Sequence, residues 1–174
     1  MRSISKMLSC NALALSSLCL TASGALATEG PDRRNEIYRD WVVQCVVQDE
    51  SRERQCRMHH SLRQQENGQR ILTVAIERPS ESEAVITIIP PFGLLLPDGI
   101  SILVDEVPML RLDFLTCFAD GCIARASLSA ESVDAMQADT SAVVRATMRD
   151  GSNLDLEFSL MGFTAAWNRL GELE

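Results

Sequence analysis

The chain has 174 residues, 46% of them hydrophobic but only 5% aromatic, and its 24 acidic side chains outnumber 16 basic ones for a net charge of −8. That balance argues against nucleic acid as a partner, because affinity for a phosphate backbone comes largely from cationic neutralisation, and against an electrostatic hold on anionic lipid. The length suits one domain around a single core.

Arg2 and Lys6 precede an apolar and small-residue run over 7–20, which leads to Ala25-Leu26-Ala27. A positive start, an apolar middle and an A-x-A site are the parts of a cleavable signal peptide, here residues 1–27. The run is too short for a membrane anchor, and Ser16, Ser17, Thr21 and Ser23 interrupt it. Cys10 comes too early for a lipid-attachment site and Cys19 follows Leu18, so both are expected to leave with the peptide. Lys6 is the only lysine; without Arg2 and Lys6 the remaining chain is lysine-free, with a net charge of about −10. No later stretch reads as a spanning helix, since the apolar segment 85–96 contains Pro90, Pro91 and Gly93.

Residues 28–39 are polar and charged, with Gly30 and Pro31, and read as a flexible N-terminal segment before a domain over 40–174. Residues 40–47 then alternate, with Trp41, Val43, Cys45 and Val47 on one side, the period of a half-buried strand. After charged residues 49–54, a second strand over 55–62 puts Cys56, Met58, His60 and Leu62 on one face and Arg57, His59 and Ser61 on the other. Asn67-Gly68 predicts a type I′ hairpin turn into a third strand over 70–78.

The β-branched run 84–89 fits a strand buried on both faces, and Pro90-Pro91 ends it. Residues 92–99 are unusually apolar for a connection and close on Pro97-Asp98-Gly99, a turn composition. Strands follow over 100–105, 109–117 and 122–128, the last two joined by a tight turn. Ser129 can cap a short helix over about 130–137, and a hairpin about Asp150-Gly151 joins strands 142–148 and 154–160. The terminal piece 163–170 places Phe163, Ala166, Trp167 and Leu170 on one helical stripe. Eight or nine short strands with two minor helices predict an all-β fold, an antiparallel β-sandwich.

Cys45, Cys56, Cys117 and Cys122 remain beyond the leader, and four cysteines allow three disulfide connectivities. Pairing Cys45 with Cys56 and Cys117 with Cys122 is favoured, because each pair flanks a turn between adjacent strands. Neither spacing is the CxxC of zinc or thioredoxin-type redox sites, so no metal and no cofactor are expected.

Taken in order, Trp41-Val42-Val43-Gln44-Cys45, Cys56-Arg57-Met58, residues 91–99 (PFGLLLPDG), residues 117–122 (CFADGC) and Gly162-Phe163 make the chain resemble the bacterial invasion-associated locus B family over nearly all of the expected mature chain. The resemblance implies an exported, mostly β protein of the Gram-negative envelope, periplasmic or associated with the outer membrane or released. In some host-associated bacteria the family is linked to entry into host cells, so an envelope or host protein is the partner it suggests. It supplies no catalytic residues, and similar proteins occur in bacteria that invade nothing.

Beside this resemblance stand the residues that could carry chemistry. His59 and His60 are the only histidines, and neighbours on a strand face opposite ways, which keeps them from sharing a metal. His60 follows the packing face, whereas His59 with a carboxylate could serve a periplasmic hydrolase, although no activated nucleophile accompanies it. Asp105, Glu106 and Asp113 could line an acidic cleft of the glycosidase kind, or simply be solvated surface. Phe92, Leu94, Leu95 and Leu96 are the candidate binding residues: packed under the sandwich they are core, exposed they mark a binding patch, and over a cavity they would suit a small-ligand carrier. The leading expectation is a non-enzymatic envelope protein that binds through an exposed face or edge.

Overall fold

The computed structural model describes residues 33–47, 53–80, 82–119 and 121–173, so the expected signal peptide lies outside the described residues. Ten strands, β1 (Arg33–Tyr38), β2 (Trp41–Val47), β3 (Arg54–Arg63), β4 (Arg70–Ser80), β5 (Glu83–Ile89), β6 (Ile100–Val104), β7 (Val107–Phe118), β8 (Gly121–Ser127), β9 (Ser141–Thr147) and β10 (Asn153–Ser159), are joined by two helices, α1 (Ala130–Ala138) and α2 (Phe163–Glu172). All strand pairs are antiparallel, in the order β1-β2-β3-β4-β5-β8-β7-β6-β9-β10. Because β9 returns beside β6 after the β6-β7-β8 meander, those four strands form a Greek key.

The sheet folds over on itself into the two layers of a sandwich, and β7 belongs to both. Its first half pairs with β6 up to Leu112 and its second half with β8 from Asp113, with a bulge between Phe114 and Thr116. A bulge adds local twist, which lets one strand pass from layer to layer. Inward residues of the first layer, such as Trp41, Met58 and Ile76, meet Ile100, Ile102, Val144 and Phe158 of the second in one core. Each large side chain fully removed from water there contributes about 1.5–3 kcal/mol. Trp41 also crosses the seam as a donor, its indole N–H bonding the Ser159 carbonyl at 3.0 Å.

Helix α2 covers β1, β2 and β3, with the Phe163 ring edge-on to Trp41 at 5.2 Å. Gly162 (φ 92°) precedes it because any Cβ there would collide with the Tyr38 carbonyl. Ser129 caps α1 by accepting from the Ser132 N–H at 3.2 Å. Cys45 lies opposite Cys56, and Cys117 opposite Cys122, with Cα atoms 4.1 and 3.9 Å apart, and both bonds are those favoured from the turn spacing.

Three expectations are corrected. Residues 33–38 are not a flexible lead-in but the edge strand β1, raising the count to ten strands. A polar ladder holds that strand: Gln44 donates to Asn35 at 3.1 Å, and Arg57 donates to Gln44 at 3.0 Å. Asn67-Gly68 does not form a type I′ turn, because only Gly68 has positive φ and Gln64 pairs with Gln69 around a longer loop. The two-residue left-handed turn sits instead at Asp105-Glu106 (φ 49° and 62°), between paired Val104 and Val107. Finally, β5 is buried on its inner side by Ile86 and Ile88 but only in part on its outer side, where Val85 is buried and Thr87 and Ile89 are half-buried.

Candidate binding surface

Segment 90–99 crosses from one layer to the other at one end of the sandwich, and hydrogen bonds tie it down. The Arg149 N–H donates to the Gly93 carbonyl and the Leu95 N–H to the Thr147 carbonyl, each at 2.9 Å, around a bridge between Leu94 and Met148. The backbone is therefore anchored while its side chains divide. Leu94 packs against the core and Leu95 is half-buried, but Leu96 is exposed and Phe92 is 61% exposed.

Two residues that the sequence reading did not single out belong to the same end. Phe118 (63% exposed) pairs with Gly121, whose missing side chain leaves room for Ile89 and the start of the Pro90-Pro91 segment. Leu115 (69% exposed) sits in the β7 bulge, on the strand that the short helical turn Leu96–Asp98 packs against. The one available signal was the consecutive pair Phe114-Leu115, which breaks the alternation of β7. The Cys117–Cys122 bond closes this hairpin beside Phe118.

His60 packs between Trp41 and Phe158, at centroid distances of 5.9 and 6.3 Å, and its Nδ1 lies 2.8 Å from the Asp40 carbonyl oxygen. That oxygen can only accept, so Nδ1 carries the proton, and the buried Nε2 has no partner among the described residues. His59 faces the other way, opposite Val42 and Ala75. Burial holds its pKa below the ordinary histidine value, and the nearby Arg57 charge adds to the effect. Its Nδ1 is buried and, among the described residues, no partner reaches that nitrogen to orient the ring for acid–base work.

The acidic candidates are not brought together. Asp105 and Glu106 form the β6–β7 turn, whereas Asp113 stands opposite Arg125, beyond Leu112 on β7 and within 3.7 Å of Arg111. Among the described residues, no group of three or more His, Cys, Asp or Glu side chains is placed to hold a metal. None of the described helices is long and apolar enough to cross a membrane.

Known proteins share this architecture. A family model described as "Invasion associated locus B (IalB) protein" matches residues 41–171. Two invasion protein B homologs of Brucella abortus, one from strain 2308 and one from biovar 1 strain 9-941, are each 33% identical over 161 residues, covering 92% of this chain and 91% of the relative. The crystal structure of invasion associated protein B from Bartonella henselae superposes with a TM-score of 0.73 at 24% identity, over 80% of this chain and 96% of that one, a likeness of fold. With a family match through both disulfides and curated relatives aligned along nearly the whole length, the chain belongs to the invasion associated locus B family.

Proposed function

We propose that this protein is exported to the periplasm or outer membrane and acts there without catalysis, binding a protein or an envelope component through the apolar end built by Phe92, Leu96, Leu115 and Phe118. The observation that carries this reading is the pair of exposed phenylalanines, Phe92 and Phe118, on backbone fixed by hydrogen bonds and a disulfide. Large apolar side chains left exposed on anchored backbone add nothing to the core and suit an interaction site, and aromatic anchors supply much of the energy of such contacts. The names of the Brucella relatives extend the reading to host interaction. A hydrolase would need a carboxylate beside His59, where strand register puts Val42 and Ala75. A carrier would need space between the layers that Trp41, Met58, Phe158 and Phe163 fill.

The test is retention of a partner from envelope extract on the immobilised protein and on a Phe92→Ser/Phe118→Ser variant with unchanged circular dichroism. Retention by the first and loss by the second is the expected result; no partner above a mock column, or equal retention by both, overturns the reading. Intact mass before and after reduction checks the export half. A chain beginning at Thr28 that frees four thiols only on reduction is expected, and a longer chain or added lipid overturns it.

A further inference from the structure

At the other end of β7, about 35 Å along the strand from Phe118, the Asp105-Glu106 turn faces the last turn of α1 across a hollow of about 380 Å³. That volume falls in the ~300–1,000 Å³ range of ligand pockets. Its lining is mostly apolar: Val104, Met109, Ala135 and Ala138, with Val107 left 63% exposed on the wall. Asp105 and Asp139 stand on the lining as well, and exposed Glu106 follows Asp105 in the same turn.

Two further features give this hollow one sign. The last turn of α1 holds no basic residue, so the partial negative charge of its carbonyl end is not offset there. Arg145 lies within electrostatic reach of Glu106, but Asp155 holds it by two contacts of 2.7 Å. An apolar floor beneath negative charge matches a side chain with an aliphatic stem and a cationic head. The chain as a whole carries −8, which steers basic partners toward it.

We propose that this hollow is a second binding site, which seats a basic side chain from an apolar-flanked, basic peptide segment of a partner protein. The stem lies on Val104, Val107 and Met109, and the head meets the carboxylates of Asp105 and Asp139. This goes beyond the apolar end and does not depend on it.

The experiment follows amide NMR shifts of the purified protein, expressed from the full-length chain, on titration with acetyl-Leu-Lys-Leu-Lys-Leu-amide. Peptides with norleucine or glutamate in place of lysine are the controls. Saturable shifts confined to residues 104–109 and 135–139 are expected, with the lysine peptide binding more tightly than the norleucine one and the glutamate peptide not binding. An Asp105→Asn/Asp139→Asn variant, which keeps shape and turn preference, should weaken binding about five-fold. Added salt should weaken it as well, and Ala138→Phe, which fills the hollow from an exposed position, should abolish it while distant resonances stay in place. No saturable shift at millimolar peptide, equal binding of all three peptides, or an unweakened Asn variant overturns the proposal. None of these variants touches the apolar end, so this site can fail while the Phe92/Phe118 reading stands, and the reverse.

Discussion

Arg169 on the last helix clasps Glu36 on the first strand, with Nε 2.7 Å from Oε2 and Nη2 3.0 Å from Oε1. The two lie 133 positions apart in the chain, so this pair ties the N-terminal edge of the sheet to the C-terminal helix. Tyr38 adds a hydroxyl donor to the same carboxylate at 2.8 Å, and Glu172 accepts from Arg169 at 3.0 Å.

The hydrogen bonds from Arg169 and Tyr38 hold the Glu36 pKa at about 2, against an ordinary 4.5. A carboxylate whose pKa is lower when folded adds stability that is complete above the unfolded value and is lost as pH falls through the folded one. Urea midpoints should therefore drop between pH about 4.5 and about 2, and Glu36→Gln should flatten that drop. The flattening is expected to be partial, because Asp155 is also held below its ordinary value by Arg145. An identical slope in the variant would remove Glu36 from the account.

His59 works with the same sign for a different reason. Burial keeps it neutral in the folded chain, so the unfolded chain takes up its proton first as pH falls below about 6.5. Stability should begin to fall there, before the Glu36 range is reached. His59→Gln should hold its urea midpoint constant between pH about 7 and about 5 while the parent loses some of its own.

Gly162 and Gly151 separate backbone strain from collision. Both have positive φ, but a Cβ at Gly162 strikes the Tyr38 carbonyl whereas one at Gly151 meets nothing within 4 Å. Gly151→Ala should cost about 1 kcal/mol. Gly162→Ala should cost more than about 2 kcal/mol, with α2 displaced from β1 and β2. Thermal unfolding of both variants ranks them, and equal losses would show that the Tyr38 contact is relieved.

The two disulfides should differ in worth according to the loops they close. Replacing Cys45 and Cys56 with alanine removes a bond spanning 11 positions and should cost about 3 kcal/mol. Replacing Cys117 and Cys122 removes one spanning 5 and should cost about 2 kcal/mol. Denaturant unfolding of each pair gives the order, and a reversed order would show that packing around the bridges outweighs loop closure.

Much of this architecture was legible because burial writes its period into the chain: Trp41, Val43 and Cys45 alternate with half-buried neighbours as a one-sided strand must. The strand β1 was not legible, since Asn35 and Glu36 hold it by polar contacts whose partners, Gln44 and Arg169, are named only by the fold. The strand order was hidden for a related reason, since pairing β5 with β8 is a long-range choice that leaves no local mark. Turn chemistry misled in both directions, as Asn67-Gly68 took a longer loop and Asp105-Glu106 adopted the left-handed turn without a glycine. At the candidate surface, residues 92–96 stood out by composition. Their partition into anchored and exposed side chains depended on β9, and the contribution of Leu115 depended on a bulge.

The four cysteines of the described residues are bonded in consecutive pairs, and the two loops neither overlap nor enclose one another. If the chain is exported as proposed and its leader removed, an oxidant meeting it N-terminus first would find the right partner for Cys45 before Cys117 has appeared. Linkage of each of these cysteines to its nearest neighbour along the chain gives the pairs that the fold holds.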